Sequence, residues 1–425
     1  MPIQKIIIPD KRLIPPFNEP ARELRVLNKP LWFHQRDVLA PHCVQEIELE
    51  SLDKIPSDLD KEMLVYRDNL FFDQHFIDEF IERARASGKA RQVAFALDDR
   101  AIVKHALPLQ EGIRRQGDLY VADLWYFPRG VERNPKPLVI DTEPYEMGYY
   151  RIPTYLASEQ GEVVCHVPLK PFLSIENWVH LFIASSLFGI LSRGARADQE
   201  FNRLKNKLKI VWKAFLERKH VLSSSELVQV GKNCSIDPTA VIQGPTVIGD
   251  NVTIEAGVVI TQSIIGNNVS IMQGCQVQWS VVGDGSWLSF RAAVTSTVLM
   301  ERCIVAQNAC LQLCVVGRNS FIGAGNTFTD FNLLPKPVMT YHRGKLVSTG
   351  RNVMGSCVGH NCRIGSGFVI YPGRMIESDT ILVVTDDHSV INKNISFSES
   401  HHHWLREGVL HQRQYRSSEE GILGA

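Results

Sequence analysis

A chain of 425 residues, 44% hydrophobic and 22% charged, has the length for two or three domains with sizeable cores. Its 46 Lys and Arg balance 46 Asp and Glu, which excludes a global field for nucleic acid or an anionic membrane and leaves only local patches. Nine cysteines, an odd number with no CxxC pair, argue for buried reduced thiols rather than a disulfide framework.

The start, MPIQKIIIPDKRLIPP, has no apolar run of signal-peptide length. The most apolar window, WVHLFIASSLFGIL from Trp178, is too short to span a bilayer and carries His180. A cytoplasmic protein without a membrane span is therefore expected. Residues 1–170 read as an α/β domain. Its strand-like runs are KIIIP from Lys5, PLWF from Pro30, MLVY from Met63, QVAFAL from Gln92 and DLYVADLWYF from Asp118. One helix interrupts them: Asp73 caps it, Phe76, Ile77, Phe80, Ile81 and Ala84 share a face, and Gly88 stops it. No glycine precedes Gly88, so a loop of backbone N–H groups able to wrap a triphosphate is missing. Nucleotidyl transfer by such a loop is not expected.

Residues 171–227 read as a helical connector. Ser174 is the expected N-cap of a helix to Leu191, Gly194 breaks it, and ARADQEFNRLKNKLKIVWKAFLERKH resumes it as a helix packed on one side. VLSSSEL then serves as a hinge.

From Ile236 the pattern changes. Ile236, Ile242, Ile248, Ile254 and Ile260 are spaced by six. Steps of six and five then carry Ile265, Ile271, Val277, Val282, Leu288, Val294, Leu299, Val305, Leu311, Val316, Ile322 and Phe328. An amphipathic helix would need steps of three and four. Three hexads per turn instead make a coil with three short faces, one aliphatic residue per face pointing to the axis. The expected fold is an α/β N-terminal domain, a helical connector and a left-handed parallel β-helix over 228–392. Sixes lapse between Thr329 and Arg351, where TDFNLLPKPVMTYHRGKLVSTG reads as an extruded loop, and resume at Val358, Ile364, Ile370, Ile376 and Leu382. Residues 393–425, with His401, His402 and His403, read as a C-terminal arm.

The coil Ile322-Gly323-Ala324-Gly325-Asn326-Thr327-Phe328-Thr329-Asp330-Phe331-Asn332, with VGHNCRIGSGFVIYPG after it, resembles the hexapeptide-repeat acyltransferases. More closely, it looks like the C-terminal half of the bifunctional uridyltransferase and acetyltransferase that makes UDP-N-acetylglucosamine, over residues 228–385. FNEPARELRVLNKPLWFHQRDVL and VYRDNLFFDQHFIDEFI are similar to segments of sugar nucleotidyltransferases, which marks 1–170 as a degenerate relative that binds a sugar nucleotide or only mediates contacts. The resemblance implies homotrimers with acetyl-CoA or another acyl-CoA and a sugar phosphate or nucleotide sugar bound between columns. Trp279, Trp287 and Phe290, off the axial positions, are expected to be covered by a neighbour.

Acyl transfer needs a base for the acceptor and donors for the oxyanion. Counting back from Ile322, the family's catalytic histidine falls on Gln307, a neutral amide, and its coenzyme-contacting asparagine falls on Asp330. Of His220, His342, His360 and His388, His342 in YHRGKL is the preferred base, with Arg343 and Lys345 to hold phosphate and the loop reaching a neighbouring column. A solvated basic loop tip reads equally well. Asp330 and His360 are further catalytic candidates, and Asn332 and Gln307 further substrate contacts, although corner and turn chemistry also explain them. A zinc site of the γ-type carbonic anhydrase kind needs three histidines, two close in sequence, and the column has no such pair, so no metal is expected. The two functional readings are a sugar-directed acyltransferase and a non-catalytic sugar-nucleotide-binding or scaffold protein.

Overall fold

The computed structural model describes residues 3–55, 61–151, 162–201, 204–218, 220–332, 336–385, 388–401, 404–406 and 409–411. The N-terminal domain is built on a mixed sheet. Strand β1 (Ile3–Ile8) lies between β2 (Cys43–Glu48) and β3 (Met63–Arg67), parallel to both. Beyond β3 lie β4 (Arg91–Ala96), β5 (Ile113–Gln116), β6 (Leu119–Phe127) and β7 (Lys136–Val139), in the order β7-β4-β6-β3-β1-β2 with β5 hairpinned to β6. β6 is antiparallel to both neighbours.

Two helices cover this sheet. PLWF does not form a strand: Leu31–Leu39 is helix α1, burying Leu31, Gln35, Val38 and Leu39 at helical spacing. A short apolar run after a proline suits either element, and only the residues beyond it decide. Helix α2 (Gln74–Ser87) follows the expectation. Asp73 accepts the Phe76 N–H at 3.0 Å, all five apolar-face residues are buried, and Gly88 closes the helix at φ 61°.

The connector differs in three respects. Ser174 ends a strand, Phe172–Ser174, and the cap is Asn177, which accepts the Val179 N–H at 3.1 Å. The segments Trp178–Phe182, Ile183–Leu191 and Ser192–Phe201 then run on as one helix, α3, straight through Gly194. By length and composition Trp178–Gln199 could cross a membrane, but 89% of its apolar window is buried inside the protein. Tertiary packing thus overrides the glycine. Helix α4 (Leu204–Glu217) does pack on one side, but on its narrower one, Ile210 and Ala214.

The column has three parallel sheets of eight strands, with 228–230, 235–236 and 241–243 opening the first, second and third faces. Each axial residue from Ile248 to Phe328 is buried in one continuous core, as are Val358, Ile364, Ile370, Ile376 and Leu382, and only Ile236 and Ile242 of the first coil are partly open. Asparagines turn several corners at positive φ and ladder from coil to coil: Asn233 donates to Asn251 at 3.3 Å and Asn251 to Asn268 at 3.2 Å. Asn tolerates this conformation better than most residues.

The first face is covered by the chain itself. Its outward residues Val281, Val298, Val315, Cys357 and Met375 pack in the same core as Phe17, Leu24, Phe188 and Leu191. The arm between β1 and α1 follows one edge of this face. Arg25 pairs with Glu301 at 2.7 Å, Asn28 donates to Asp284 at 2.8 Å, Asn18 donates to Glu377 at 2.8 Å, and Glu19 pairs with Arg318. Helix α3 closes against the arm so tightly that a Cβ on Gly189 would stand 2.4 Å from Leu27. All nine cysteines are free, and burial pushes Cys303, Cys314 and Cys362 up to about 12.

Candidate functional site

The extruded loop carries a hairpin, Met339–His342 paired with Lys345–Ser348. Arg343 and Gly344 turn it at φ 48° and 82°, the positive values a two-residue turn of this hand requires. It packs against the connector and the N-terminal domain of its own chain. Trp178 Nε1 donates to Thr340 Oγ1 at 2.9 Å and Asn177 Nδ2 to the Tyr341 carbonyl at 3.2 Å.

Glu176, missed in sequence, is the hub beneath the turn. Its buried carboxylate accepts from Arg12 at 2.7 Å, Arg343 at 3.3 Å, the N–H groups of Glu111 and Gly112 at 3.1 and 2.7 Å, and Ser174 Oγ at 3.0 Å. Arg343 also pairs with Glu111. Its charge is therefore answered by protein carboxylates, whereas Lys345 is exposed and has no ion pair among the described residues. His342 Nδ1 lies 3.3 Å from Asn177 Nδ2 and accepts from it, so the proton sits on Nε2 in this tautomer. Burial, with Arg343 adding to it, lowers its pKa and so favours the neutral ring. In that state His342 presents a donor, and acting as a base requires the tautomer to change.

The other candidates are dispersed. His360 is buried where the arm meets the column: Nδ1 accepts the Arg318 N–H at 3.0 Å, Nε2 is 3.7 Å from Glu19, and Phe17 packs on the ring at 4.9 Å. Burial lowers its pKa, with Glu19 pulling the other way. That is the position of a corner and interface residue. Asp330 is buried where the loop leaves the third face, and burial raises its pKa. Gln312, with its amide oriented to donate, sets its nitrogen 3.1 and 3.3 Å from the two carboxylate oxygens. Asn332 donates to the Lys336 carbonyl at 3.3 Å as a turn residue. Gln307 is half-buried at the corner between the second and third faces, and its side-chain amide has no partner among the described residues. Around it the second face exposes an in-register stack, Trp287 over Ile304 over Phe321, with Phe290 exposed at the corner. Trp279 instead turns toward the first-face core, its Nε1 donating to Gln262 at 2.9 Å.

A second polar cluster stands at the carboxyl ends of β1 and β3, where open α/β sheets commonly bind ligands. Asp10 N–H donates to Asp68 at 2.6 Å, Arg12 Nε sits 2.9 and 3.0 Å from both Asp10 oxygens, and Arg22 pairs with Asp68 at 3.2 Å. Burial outweighs these partners at Asp68 and pushes it up to about 6, whereas Arg12 prevails at Asp10 and lowers it. An Asp within two residues of the end of each of two parallel strands, in IIIPD and VYRD, was the available signal. A cavity of about 380 Å³ opens between the connector and the first coils, lined by Arg193, Lys209, Glu226, Gln229 and the side chains of Ile190 and Ile264. Among the described residues no three His, Cys, Asp or Glu side chains gather in a metal-binding group.

The bacterial transferase hexapeptide model matches residues 228–262, and the GlmU-like C-terminal hexapeptide model matches 261–328. The column is a hexapeptide-repeat β-helix. No curated protein matches the chain in sequence. Solved structures with a similar trace include a perosamine N-acetyltransferase variant from Caulobacter crescentus in complex with CoA and GDP-perosamine. It has 17% identity over 39% of this chain and 50% of that one, with a TM-score of 0.16. A second variant of that enzyme with the same ligands gives 17% over the same shares and 0.12. The polysialic acid O-acetyltransferase OatWY gives 16% over 40% and 80%, with 0.19. The chain thus spans half the length of the first of these, and likenesses so slight carry no argument about activity.

Proposed function

We propose that this chain is an acyltransferase that moves an acyl group from acyl-CoA, acetyl-CoA being the simplest, to a hydroxyl or amine of a sugar phosphate or nucleotide sugar. The observation that supports it most is a coincidence of place. The GlmU-like match covers 261–328, and in those coils the second face exposes Trp287, Ile304 and Phe321, with Phe290 exposed at the corner toward the third face, and none of the four joins the core shared with the N-terminal domain. Flat aromatic and aliphatic surface beside the Gln307 amide, which has no partner among the described residues, suits an adenine ring and a thioester, and a homotrimer would enclose both. In the reaction the acceptor oxygen or nitrogen bonds to the acyl carbon, the C–S bond breaks, and CoA leaves as the thiol with the acceptor's proton. Gln307 is suited to donate to the thioester oxygen as charge develops. Asp330 stands at the other end of the third face from Gln307, so as proton acceptor it would serve the Gln307 of a neighbouring column in the homotrimer. Nine free thiols suit a cytoplasmic setting. No nucleotidyl transfer is assigned to the N-terminal domain.

A non-catalytic binding or scaffold protein is the second reading. Gln307 at the family's histidine position, His342 presenting N–H, and Arg343 held by two carboxylates favour it. Thiol release from acetyl-CoA, followed with a panel of hexosamine 1-phosphates and UDP- and GDP-linked amino sugars, separates the two. Turnover with one acceptor that falls about a hundredfold or more in Asp330→Asn supports transfer. Acetyl-CoA binding without turnover on any acceptor supports the second reading.

A further inference from the structure

Helix α4 turns the wrong face outward for a free-standing protein. Ile210 and Ala214 are buried against the rest of the chain, whereas Leu208, Val211, Trp212, Phe215 and Leu216 are 65%, 48%, 63%, 73% and 62% exposed. These five sit at helical spacing, so they form one stripe, and the Trp212 and Phe215 rings lie 6.1 Å apart in a stacked arrangement. Single exposed aliphatic residues are ordinary, but a contiguous stripe of five large ones marks a surface that something covers.

Charge says what covers it. The whole chain is neutral, yet residues 204–219 hold six Lys and Arg against one Glu. Glu226 holds Lys209 and Lys213 on the flank of the stripe, each at 2.8 Å, so that the three carry one net positive charge, and Arg218 stands exposed just past the last turn. A second copy of the same helix would bring the same basic border against it, so self-pairing is opposed. A lipid surface with acidic headgroups complements both halves: the stripe enters the boundary between headgroups and acyl chains, and the cations meet phosphates and carboxylates. The buried Trp178–Gln199 helix has no part in this.

We propose that α4 is an amphipathic docking helix that seats the protein on an anionic membrane surface. The site is independent of the acyl-CoA reading, since none of its residues lies on the free faces of the column.

The test is co-sedimentation of the full chain with phosphatidylcholine vesicles containing about 30% phosphatidylserine, compared with pure phosphatidylcholine vesicles. Saturable partition onto the anionic vesicles is expected, weakening as salt is raised to about 0.5 M. The double variant Trp212→Ser, Phe215→Ser should lose about tenfold or more in partition, and Arg218→Gln about fivefold. Both should keep the melting temperature and acetyl-CoA binding of the parent, because these side chains support no core. Failure to partition onto anionic vesicles overturns the proposal, as does equal binding to neutral ones. A concentration-dependent dimer in sedimentation equilibrium, abolished by the double variant and paired with no lipid binding, would assign the stripe to a second copy instead.

Discussion

Replacing Asp68 by Asn measures the electrostatic cost held at the strand-end cluster. One oxygen of its buried carboxylate accepts the Asp10 N–H at 2.6 Å, and the other faces Arg22 at 3.2 Å. Burial dominates, with like charge from Asp10 and Glu48 added, so the pKa is pushed up to about 6 from 3.8. The folded state therefore holds this proton more tightly than the unfolded chain. The stabilisation is complete below about pH 4 and is lost as pH rises through about 6; the change amounts to about 3 kcal/mol. Asn at this position removes the charge and still accepts from Asp10, but it turns an amide toward Arg22, which costs about 1 kcal/mol. Asp68→Asn should thus be more stable than the parent by about 1–2 kcal/mol at pH 7.5 and show no gain at pH 4. Paired urea titrations followed by circular dichroism at the two pH values read this directly. A loss of stability at pH 7.5 would refute the reasoning and mean that Arg22 keeps the carboxylate ionised at little cost.

Leu311 is fully buried on the column axis between Val294 and Phe328, so Leu311→Ala should cost about 3–5 kcal/mol, while Leu208→Ala on the exposed stripe should change urea stability by less than about 0.5 kcal/mol. Equal effects would mean the hexad register is wrong. Glu176→Ala strips a buried acceptor from Arg12 and Arg343 and should destabilise by about 3 kcal/mol, with faster proteolysis at the hairpin as the local readout. His342→Ala should leave thiol release within about threefold of the parent, since the structure gives that ring a donor's tautomer; a hundredfold loss would restore it as the base.

The column was legible because an axial hexad is imposed by the coil itself and does not depend on what surrounds it. Covering was not legible: Val281, Val298 and Val315, which pack in the core shared with the N-terminal domain, are aliphatic like their axial neighbours Val282, Leu299 and Val316. The hairpin's chemistry was hidden for a different reason. YHRGK offers a base and two cations on paper, but the tautomer of His342 is set by Asn177 and the charge of Arg343 is answered by Glu176, both more than 160 residues earlier. Ser174 and Asn177 are both competent caps, and only the strand ending at Ser174 decides between them. The basic, apolar composition of 204–217 was readable as an amphipathic helix, but which stripe it buries is settled by the small contact surface at Ile210 and Ala214.

Calorimetric titration of acetyl-CoA into the full chain and into Phe290→Asp tests most directly whether the free faces of the column bind acyl-CoA. Saturable binding in the micromolar to millimolar range is expected for the parent. The variant should bind at least about tenfold more weakly with its melting temperature unchanged, because Phe290 is exposed and an Asp there sets a like charge against the phosphates of CoA. Binding that is unaffected by Phe290→Asp, or no binding heat from the parent at all, would contradict the placement of the site on those faces.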